Sequence, residues 1–272
     1  MSQPFLTMVS NFFPVILTAT ILTMLLMFGF WILQVRRKNA GVVDLGWALC
    51  LLLLSGMYSL ILPGYGLRKC LIFLMVALWA MRLSSLLINR LWKDQKEDNR
   101  YQKLREEWKT GVNLKFFFLF QFEAWLALVL SVPFFLIALN EKPQLEPIEI
   151  VGIVIWITGF FGESLADAQL EEFKSHPENK GKTCQAGLWN YSRHPNYFFE
   201  WSMWVGYFVF ALSAGTFGWI AILSPMIMFY FLIKVTGAPL AEAQALRTRG
   251  EEYKRYQQTT SFFVPLPKKK IS

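Results

Sequence analysis

Charged side chains are scarce in this chain of 272 residues: Asp, Glu, Lys and Arg together make up 17% of it. Ordinary soluble domains contain roughly 25%. Hydrophobic residues make up 54% of the chain, and they occur in long runs that carry almost no charge. A soluble core of this length would instead show apolar stripes interrupted by charged faces. The sequence therefore predicts an integral membrane protein.

Cysteine and histidine are also scarce. The three cysteines are scattered, no CxxC pair occurs, and there are only two histidines. This pattern excludes a disulfide framework and a thiolate metal site, and it leaves too few histidines for a histidine-rich metal cluster. The sequence contains no GxGxxG fingerprint after a strand, no P-loop, no HExxH and no GxSxG elbow. We therefore predict no metal site, and any nucleotide must bind between membrane helices and their loops.

The hydrophobic runs predict an all-α fold, a single membrane domain built as a bundle of seven transmembrane helices. Most runs approach or exceed the roughly 20 residues that a spanning helix needs. The predicted spans are Phe12–Val35, Leu45–Leu62, Cys70–Ile88, Phe116–Leu139, Ile148–Leu165, Phe198–Ala214 and Thr216–Ile233. Pro14, Pro63 and Pro147 are expected near helix ends, whereas Pro133 and Pro225 lie inside spans.

The basic residues are distributed unequally over the connecting segments. If the N-terminus is outside, all but three of the 27 Lys and Arg residues fall on the cytoplasmic side. The exceptions are Arg68, Lys69 and Lys142. The positive-inside rule then places the C-terminus and the three long polar loops in the cytoplasm of a multi-pass protein, in the inner membrane if the source is bacterial. This topology explains the net charge of +8, so we expect no nucleic-acid partner.

Several ionisable residues lie inside the predicted spans or at their cytoplasmic ends, where a charge is costly and a functional role is the default. These residues are Asp44, Arg82, Glu123, Glu163, Asp167, Glu200 and Glu242. Snorkelling to water is the alternative for any one of them. Glu163 and Asp167 are four residues apart and share a helix face, and Lys174 continues that stripe. Asn196 and Glu200 are also four residues apart.

A polar and aromatic loop lies between those two pairs, with the sequence GLWNYSRHPNY. Arg193 and His194 could bind phosphate or carboxylate, and Tyr191 and Tyr197 could stack on a planar ring. An aromatic belt with positive-inside charge is the alternative for this loop.

Two further segments allow two interpretations each. The segment Glu97–Tyr101, which contains Asp98 and Arg100, is either a solvated turn or a contact for a cytosolic ligand. The basic run Arg247–Arg255, which contains Tyr253, is either a solvated helix face or part of a binding site.

The segment Gly187–Glu200, GLWNYSRHPNYFFE, resembles the C-terminal signature of the steroid 5α-reductase-like membrane proteins, in the branch typified by the DUF1295 domain. Three other stretches agree in order. They are Val43–Trp47 (VDLGW), Glu97–Tyr101 (EDNRY), and Thr236–Glu242 leading into Tyr256–Pro265. Together they cover most of the chain from about residue 42 to residue 267.

The resemblance implies seven helices and an NADPH held on the cytoplasmic side by the last helices and loops. It implies hydride transfer to the C=C bond of a lipid-soluble enone, most of all a 3-oxo-Δ4 steroid. Within the single domain 1–272, residues 12–115 would form the substrate side and residues 116–272 would supply the cofactor-binding loops and the tail. The expected partners are a steroid or sterol-like enone and membrane lipid, and the protein is expected to be a monomer.

The resemblance also assigns roles to residues. Catalytic roles fall on Asp44, whose protonated carboxyl would donate to the enone oxygen, and on Trp79, where the family places a tyrosine. An indole N–H can donate a hydrogen bond but cannot transfer a proton. Glu242 stands where steroid reductases have a histidine. With the candidates above, the expected cofactor-binding residues are Arg82, Asp98, Arg100, Tyr101, Glu163, Asp167, Lys174, Lys182, Tyr191, Arg193, His194, Asn196, Tyr197, Glu200, Glu242 and Tyr253.

An S-adenosylmethionine-dependent methyltransferase of the isoprenylcysteine or phospholipid type is the alternative. Those enzymes also carry an RHPxY-type segment, here Arg193–Tyr197, followed by acidic residues, here Glu251 and Glu252. They usually have fewer helices and lack the Val43–Trp47 and Glu97–Tyr101 elements. The many bases also suit a phosphate-rich NADPH better than a cationic methyl donor. A non-catalytic lipid- or sterol-binding protein is the third possibility, and it would show no nucleotide affinity.

Overall fold

The structure is a computed structural model that describes residues 3–93 and 97–269, without the side chains of residues 3–11, 92 and 93. Within these ranges the regular elements are helices, and the one β-type contact is a bridge between Ser192 and Ser261. The predicted all-α class is therefore confirmed. The chain divides into two compact units, Met1–Leu145 and Glu146–Ser272.

The described part of the first unit contains six α-helices. They are α1 Gln3–Arg37, α2 Val42–Ile61, α3 Gly66–Lys93, α4 Asn99–Trp108, α5 Val112–Leu130 and α6 Val132–Leu139. Helix α2 packs against α1, α3, α5 and α6. Its position at the centre of the unit explains why residues all along its length, such as Val43, Leu51 and Leu54, are almost completely buried.

The second unit contains five α-helices among its described residues. They are α7 Pro147–Ser175, α8 Pro195–Ala211, α9 Leu223–Tyr230, α10 Ala238–Arg249 and α11 Glu251–Thr259. Short 3₁₀ turns cover Pro177–Asn179, Gly187–Asn190 and Leu212–Ile222, and a π turn covers Phe231–Val235.

Helices α7 and α8 approach each other closely because glycines lie at their contact. A Cβ atom at Gly152 would meet the backbone N of Phe210 at 2.6 Å, and one at Gly206 would meet the backbone N of Trp156 at 2.8 Å. No side chain fits in such space, so the two backbones pack directly. The resulting antiparallel register brings the C-terminal half of α7 beside the first turns of α8.

Within the part of the chain that the structure describes, six helices are long and apolar enough to cross a membrane, so the multi-pass prediction is supported. They cover Phe12–Arg37, Val42–Ile61, Gly66–Leu91, Val112–Leu139, Pro147–Ser175 and Pro195–Arg249. The last has 55 residues and would be about 80 Å long if it were straight, far more than the roughly 30 Å of a hydrocarbon core.

This last run is a hairpin. Gly215 has φ 71° and ψ −142°, a conformation that is accessible mainly to glycine. The indole N–H of Trp201 in α8 donates to the carbonyl of Pro225 in α9 at 3.0 Å. The chain therefore reverses at Gly215, between the last two predicted spans.

The prediction that Pro14 lies near a helix end was wrong, and two other segments are more helical than the sequence indicated. Pro14 lies inside α1, which begins at Gln3. The segment Glu97–Tyr101 opens helix α4, and the Asp98 side chain caps that helix by accepting from the backbone N of Arg100 at 2.9 Å. Helix α7 continues ten residues past the predicted end of its span, to Ser175. Its last turns are polar, and the sequence there is rich in good helix formers. Hydropathy marks where a span leaves the membrane, and the helix does not end at that point.

Candidate functional site

Four polar residues of the second unit lie on the adjoining stretches of α7 and α8, and we call them the acceptor strip: Glu163, Asp167, Asn196 and Glu200. Asn196 donates from Nδ2 to Oδ1 of Asp167 at 3.3 Å. Glu163 and Glu200 are each only 8% exposed. Gly162 abuts the ring of Phe199, so their chain neighbours Glu163 and Glu200 lie at the same level. The two predicted pairs therefore form one cluster.

The amide oxygen of Asn196 in this strip has unused hydrogen-bonding capacity among the described residues. It is buried, and within the described part of the chain it accepts no hydrogen bond. A buried carbonyl oxygen without a donor costs about 1–3 kcal/mol. A bound molecule that brings an N–H or O–H group would remove this cost.

Exposed lysines follow the acceptor strip toward the polar end of α7. Lys174 lies in the last turns of α7, seven residues and about 10 Å beyond Asp167, and Lys182 lies in the following loop; both are exposed. A cleft of about 280 Å³ opens beside the same turns. Its lining residues are Gln169, Glu172, Phe173, His176, Glu178, Asn179 and Ala186.

Arg193 and His194 contact a carboxylate of the protein itself. The Arg193 Nε and the Glu242 Oε1 are 2.8 Å apart, and the His194 Nε2 lies 3.3 Å from the same oxygen. Tyr253 donates to that oxygen at 3.3 Å, and Gln257 donates to Oε2 at 2.9 Å. The Arg193 side chain is only 10% exposed. The positive charge of Arg193 is therefore balanced within the fold. We expected this guanidinium to bind a ligand's phosphate, and in this structure it binds Glu242.

The tyrosines around this ion pair tie α11 to the loop. Burial raises the pKa of Tyr253, and the negative charge of Glu242 raises it further, so the phenol stays protonated and donates. Tyr256 donates to the carbonyls of Trp189 and Ser192. Tyr197 does stack on a planar ring, but the ring is the imidazole of its neighbour His194, at 5.4 Å and 6°. Tyr191 is 46% exposed.

A second polar cluster lies in the first unit, around Asp44. Arg100 donates from Nη2 to Oδ2 of Asp44 at 2.7 Å, and the Tyr101 hydroxyl donates to Oδ1 at 2.9 Å. Arg100 also pairs with Asp98 through Nε, at 3.1 Å. Burial raises the pKa of Tyr101, and the Asp44 charge raises it further. Both oxygens of Asp44 accept hydrogen bonds here, and the Tyr101 hydroxyl is the donor to Oδ1.

A layer of polar contacts that the sequence did not predict supports this cluster. Arg105 binds Glu97 with 2.7 Å between Nε and Oε2, and it donates from Nη2 to Oε1 of Gln34 at 2.8 Å. Glu97 also accepts from the backbone N of Ala40 at 2.6 Å. These contacts attach α4 to the connection between α1 and α2. Arg105 and Gln34 were missed because neither belongs to a motif and their partners are remote in sequence.

Trp79 and Arg82 lie one turn apart on α3, in the first unit. Trp79 is only 2% exposed, and its ring packs edge-on against Trp47 with 5.4 Å between the centroids. Trp47 follows Asp44 by three residues on α2, so Trp79 packs near the face of α2 that carries Asp44. The structure thus brings predicted site residues together around Asp44 in the first unit, and in the acceptor strip and around Glu242 in the second.

Comparison with known proteins gives one match. The sequence model of a family described as "Protein of unknown function (DUF1295)" matches residues 30–260. No curated protein and no solved structure matches the chain.

Proposed function

Since the chain belongs to the DUF1295 family, we propose that it is an NADPH-dependent membrane reductase that transfers hydride to the C=C bond of a lipid-soluble enone. The resemblance to steroid 5α-reductases makes a 3-oxo-Δ4 steroid the first substrate to test. The acceptor strip on α7 and α8, with Lys174 and Lys182 beyond it, is the observation that carries the proposal.

The chemistry of the strip fits the donors of this cofactor. The nicotinamide carboxamide and the ribose hydroxyls present N–H and O–H groups, and the strip offers carboxylates and the buried amide oxygen of Asn196. The phosphates need cations, and Lys174 and Lys182 are exposed. In this proposal Asp167, Asn196 and Glu200 bind the nicotinamide riboside part, and the lysines bind the phosphates. The bound cofactor supplies the hydride.

The reduction also needs a proton: after hydride adds to the β-carbon of the enone, the carbonyl oxygen takes a proton, and the enol so formed tautomerises to the saturated ketone with a proton on the α-carbon. We assign delivery of the proton to the cluster at Asp44. The Tyr101 hydroxyl is held by Asp44 at 2.9 Å and has a raised pKa, because of burial and the Asp44 charge. In the proposal Tyr101 donates this proton and Asp44 orients it. Trp79 then needs no part in proton transfer and serves as an apolar wall.

The proposal includes a topology. The reversal at Gly215 divides the last long run into two crossings, which gives seven in total. With the N-terminus outside, the polar end of α7 and the loop before α8 face the cytoplasm, where NADPH is found. The protein would act as a monomer in the cell membrane.

One observation favours the methyltransferase alternative. The strip contains three carboxylates, which would also attract the ammonium and sulfonium groups of S-adenosylmethionine. The acidic pair expected for that enzyme is engaged elsewhere, however. Glu251 pairs with Lys254 on the surface, and Glu252 accepts from the backbone N of Thr183 at 2.9 Å. The reductase therefore remains the better-supported function.

The direct test is transfer of a label. Purified protein is incubated with NADPH deuterated at C4 of the nicotinamide and with a 3-oxo-Δ4 steroid, and the product is analysed by mass spectrometry. We expect a saturated ketone that carries deuterium from the cofactor. Asn196→Ala should abolish the product, and Asn113→Ala, at an exposed position, should not. Failure of a broad panel of steroid and sterol enones to take up label would contradict the proposal.

A further inference from the structure

The segment after α11, residues 261–269, bends at residues 262–264 and is hydrogen-bonded to the loop before α8, and we call it the tail segment. The backbone N of Arg193 donates to Ser261 at 2.9 Å, and the Ser192 hydroxyl donates to Phe263 at 2.7 Å. The backbone N of Leu266 donates to Tyr191 at 3.0 Å. The tail segment is therefore a fixed part of the surface.

Phe263 places the tail segment at the ends of the membrane-spanning helices. Its ring is 7% exposed. It lies 5.6 Å from that of Phe198, 5.9 Å from that of Trp201 and 5.3 Å from that of Phe229, measured between centroids. Phe198 and Trp201 belong to the first two turns of α8. The tail segment thus runs where these spans meet the membrane surface.

Beyond Phe263 the tail segment presents both apolar and basic side chains. Val264 is 46% exposed and Leu266 is 52% exposed. Tyr191, whose backbone carbonyl accepts the hydrogen bond from Leu266, is 46% exposed. Lys268 and Lys269 follow and are exposed. Apolar side chains beside lysines at a bilayer surface complement anionic lipid, because the chains meet the acyl boundary and the lysines meet the headgroups.

We propose that the tail segment is a binding surface for the anionic phospholipids of the membrane in which the protein resides. Val264 and Leu266 insert at the headgroup boundary, and Lys268 and Lys269 pair with the headgroup phosphates. The proposal is independent of the reductase function, because Val264, Leu266, Lys268 and Lys269 are not among the residues assigned to the cofactor or the substrate.

Hydrogen–deuterium exchange of the tail segment tests this proposal on the full chain in lipid nanodiscs. The amides of Leu266 and Lys269 exchange when their bonds to Tyr191 and Thr259 open, and a lipid that binds the closed form slows this exchange. Each lysine near an anionic surface contributes about fivefold. We therefore expect exchange about 25-fold slower in phosphatidylcholine discs that contain phosphatidylglycerol than in pure phosphatidylcholine, and a smaller difference at high salt.

Matched variants separate the possible outcomes. The double variant Lys268→Gln/Lys269→Gln should lose the difference between the two lipids, and the control Lys103→Gln/Lys109→Gln should keep it. Equal exchange of the wild-type tail segment in both lipids would overturn the proposal, as would an unchanged difference in the tail variant. If inorganic phosphate slowed exchange in pure phosphatidylcholine as much as the anionic lipid does, the surface would bind free phosphate, and the lipid proposal would be wrong.

Discussion

Arg193 and Glu242 form an ion pair with 2.8 Å between Nε and Oε1, and only 10% and 16% of the two side chains are exposed. The pair attaches α10 to the loop that opens α8, and His194, Tyr253 and Gln257 contact the same carboxylate. Arg193 and His194, which look like anion-binding residues in the sequence, therefore have a structural role: they connect the loop before α8 to α10. In our proposal the phosphates of NADPH therefore bind Lys174 and Lys182.

Removal of this carboxylate should destabilise the second unit. Glu242→Ala leaves Arg193 buried without its counter-ion, and such a loss costs about 3–5 kcal/mol. The free energy of unfolding, measured by denaturant titration in detergent, checks this value. Glu251→Ala, which breaks the exposed pair with Lys254, is the control and should change nothing measurable. The double variant Arg193→Met/Glu242→Leu should recover most of the loss, and an equally unstable double variant would contradict the ion-pair explanation.

The close contact of α7 and α8 gives a second prediction, about stability and the site together. In Gly206→Ala the new Cβ would lie 2.8 Å from the backbone N of Trp156, so the helices must separate, at a cost of about 1–3 kcal/mol. The separation would also disturb the bond between Asn196 and Asp167. Gly29→Ala is the matched control, because no atom lies within 4 Å of its new Cβ, and it should be neutral or stabilising. Equal melting temperatures for both variants would show that the contact is looser than described.

The sequence predicted features that depend on one helix or on hydropathy. The spans follow from apolar runs, and the pairing of Glu163 with Asp167 follows from helical spacing. It could not predict contacts that depend on how helices pack. The partner of His194 is Glu242, 48 residues later, and the partner of Arg100 is Asp44, 56 residues earlier. Both contacts form only because polar helices pack back against the membrane-spanning helices. The hydrophobic periodicity of the sequence does not predict that packing.

The pH dependence of stability should include a contribution from Asp98. Burial alone would raise its pKa, but the charge and the hydrogen bonds of Arg100 outweigh burial and lower the pKa from its ordinary value of 3.8. The folded state therefore binds the proton less readily than the unfolded state. The resulting stabilisation is present above pH 3.8 and is lost as the pH falls through the folded-state pKa.

Acid titration of the unfolding free energy checks this contribution. Asp98→Asn should lower stability at neutral pH and flatten the acid limb of the curve relative to wild type. Glu106→Gln, which removes a carboxylate from the exposed face of the same helix, should leave the shape of the limb unchanged. An identical acid limb in Asp98→Asn would contradict the prediction.

Proton delivery by Tyr101 predicts a selective loss of turnover. Tyr101→Phe keeps the ring and removes the hydroxyl that donates to Asp44. Loss of a general acid typically lowers the rate by about 10²–10⁴-fold, so kcat with a 3-oxo-Δ4 steroid should fall by that factor while NADPH affinity stays near wild type. Asp44→Asn should lower turnover less, because it disturbs only the orientation of the hydroxyl. Tyr230→Phe, at a 58% exposed position, is the control. Unchanged kcat in Tyr101→Phe would remove Tyr101 from the mechanism.

Cofactor binding to detergent-purified protein tests the central claim most directly. The thermal midpoint is followed while NADPH and S-adenosylmethionine are titrated in parallel into wild type, Asn196→Ala, Glu200→Gln and the control Asn113→Ala. A ligand at a hundredfold excess over its Kd adds about 2.7 kcal/mol to stability, which raises the midpoint by several degrees. We predict that NADPH alone stabilises wild type and Asn113→Ala, and that both strip variants lose the effect. Stabilisation by S-adenosylmethionine alone, or full NADPH stabilisation of both strip variants, would contradict the assignment of the acceptor strip to NADPH.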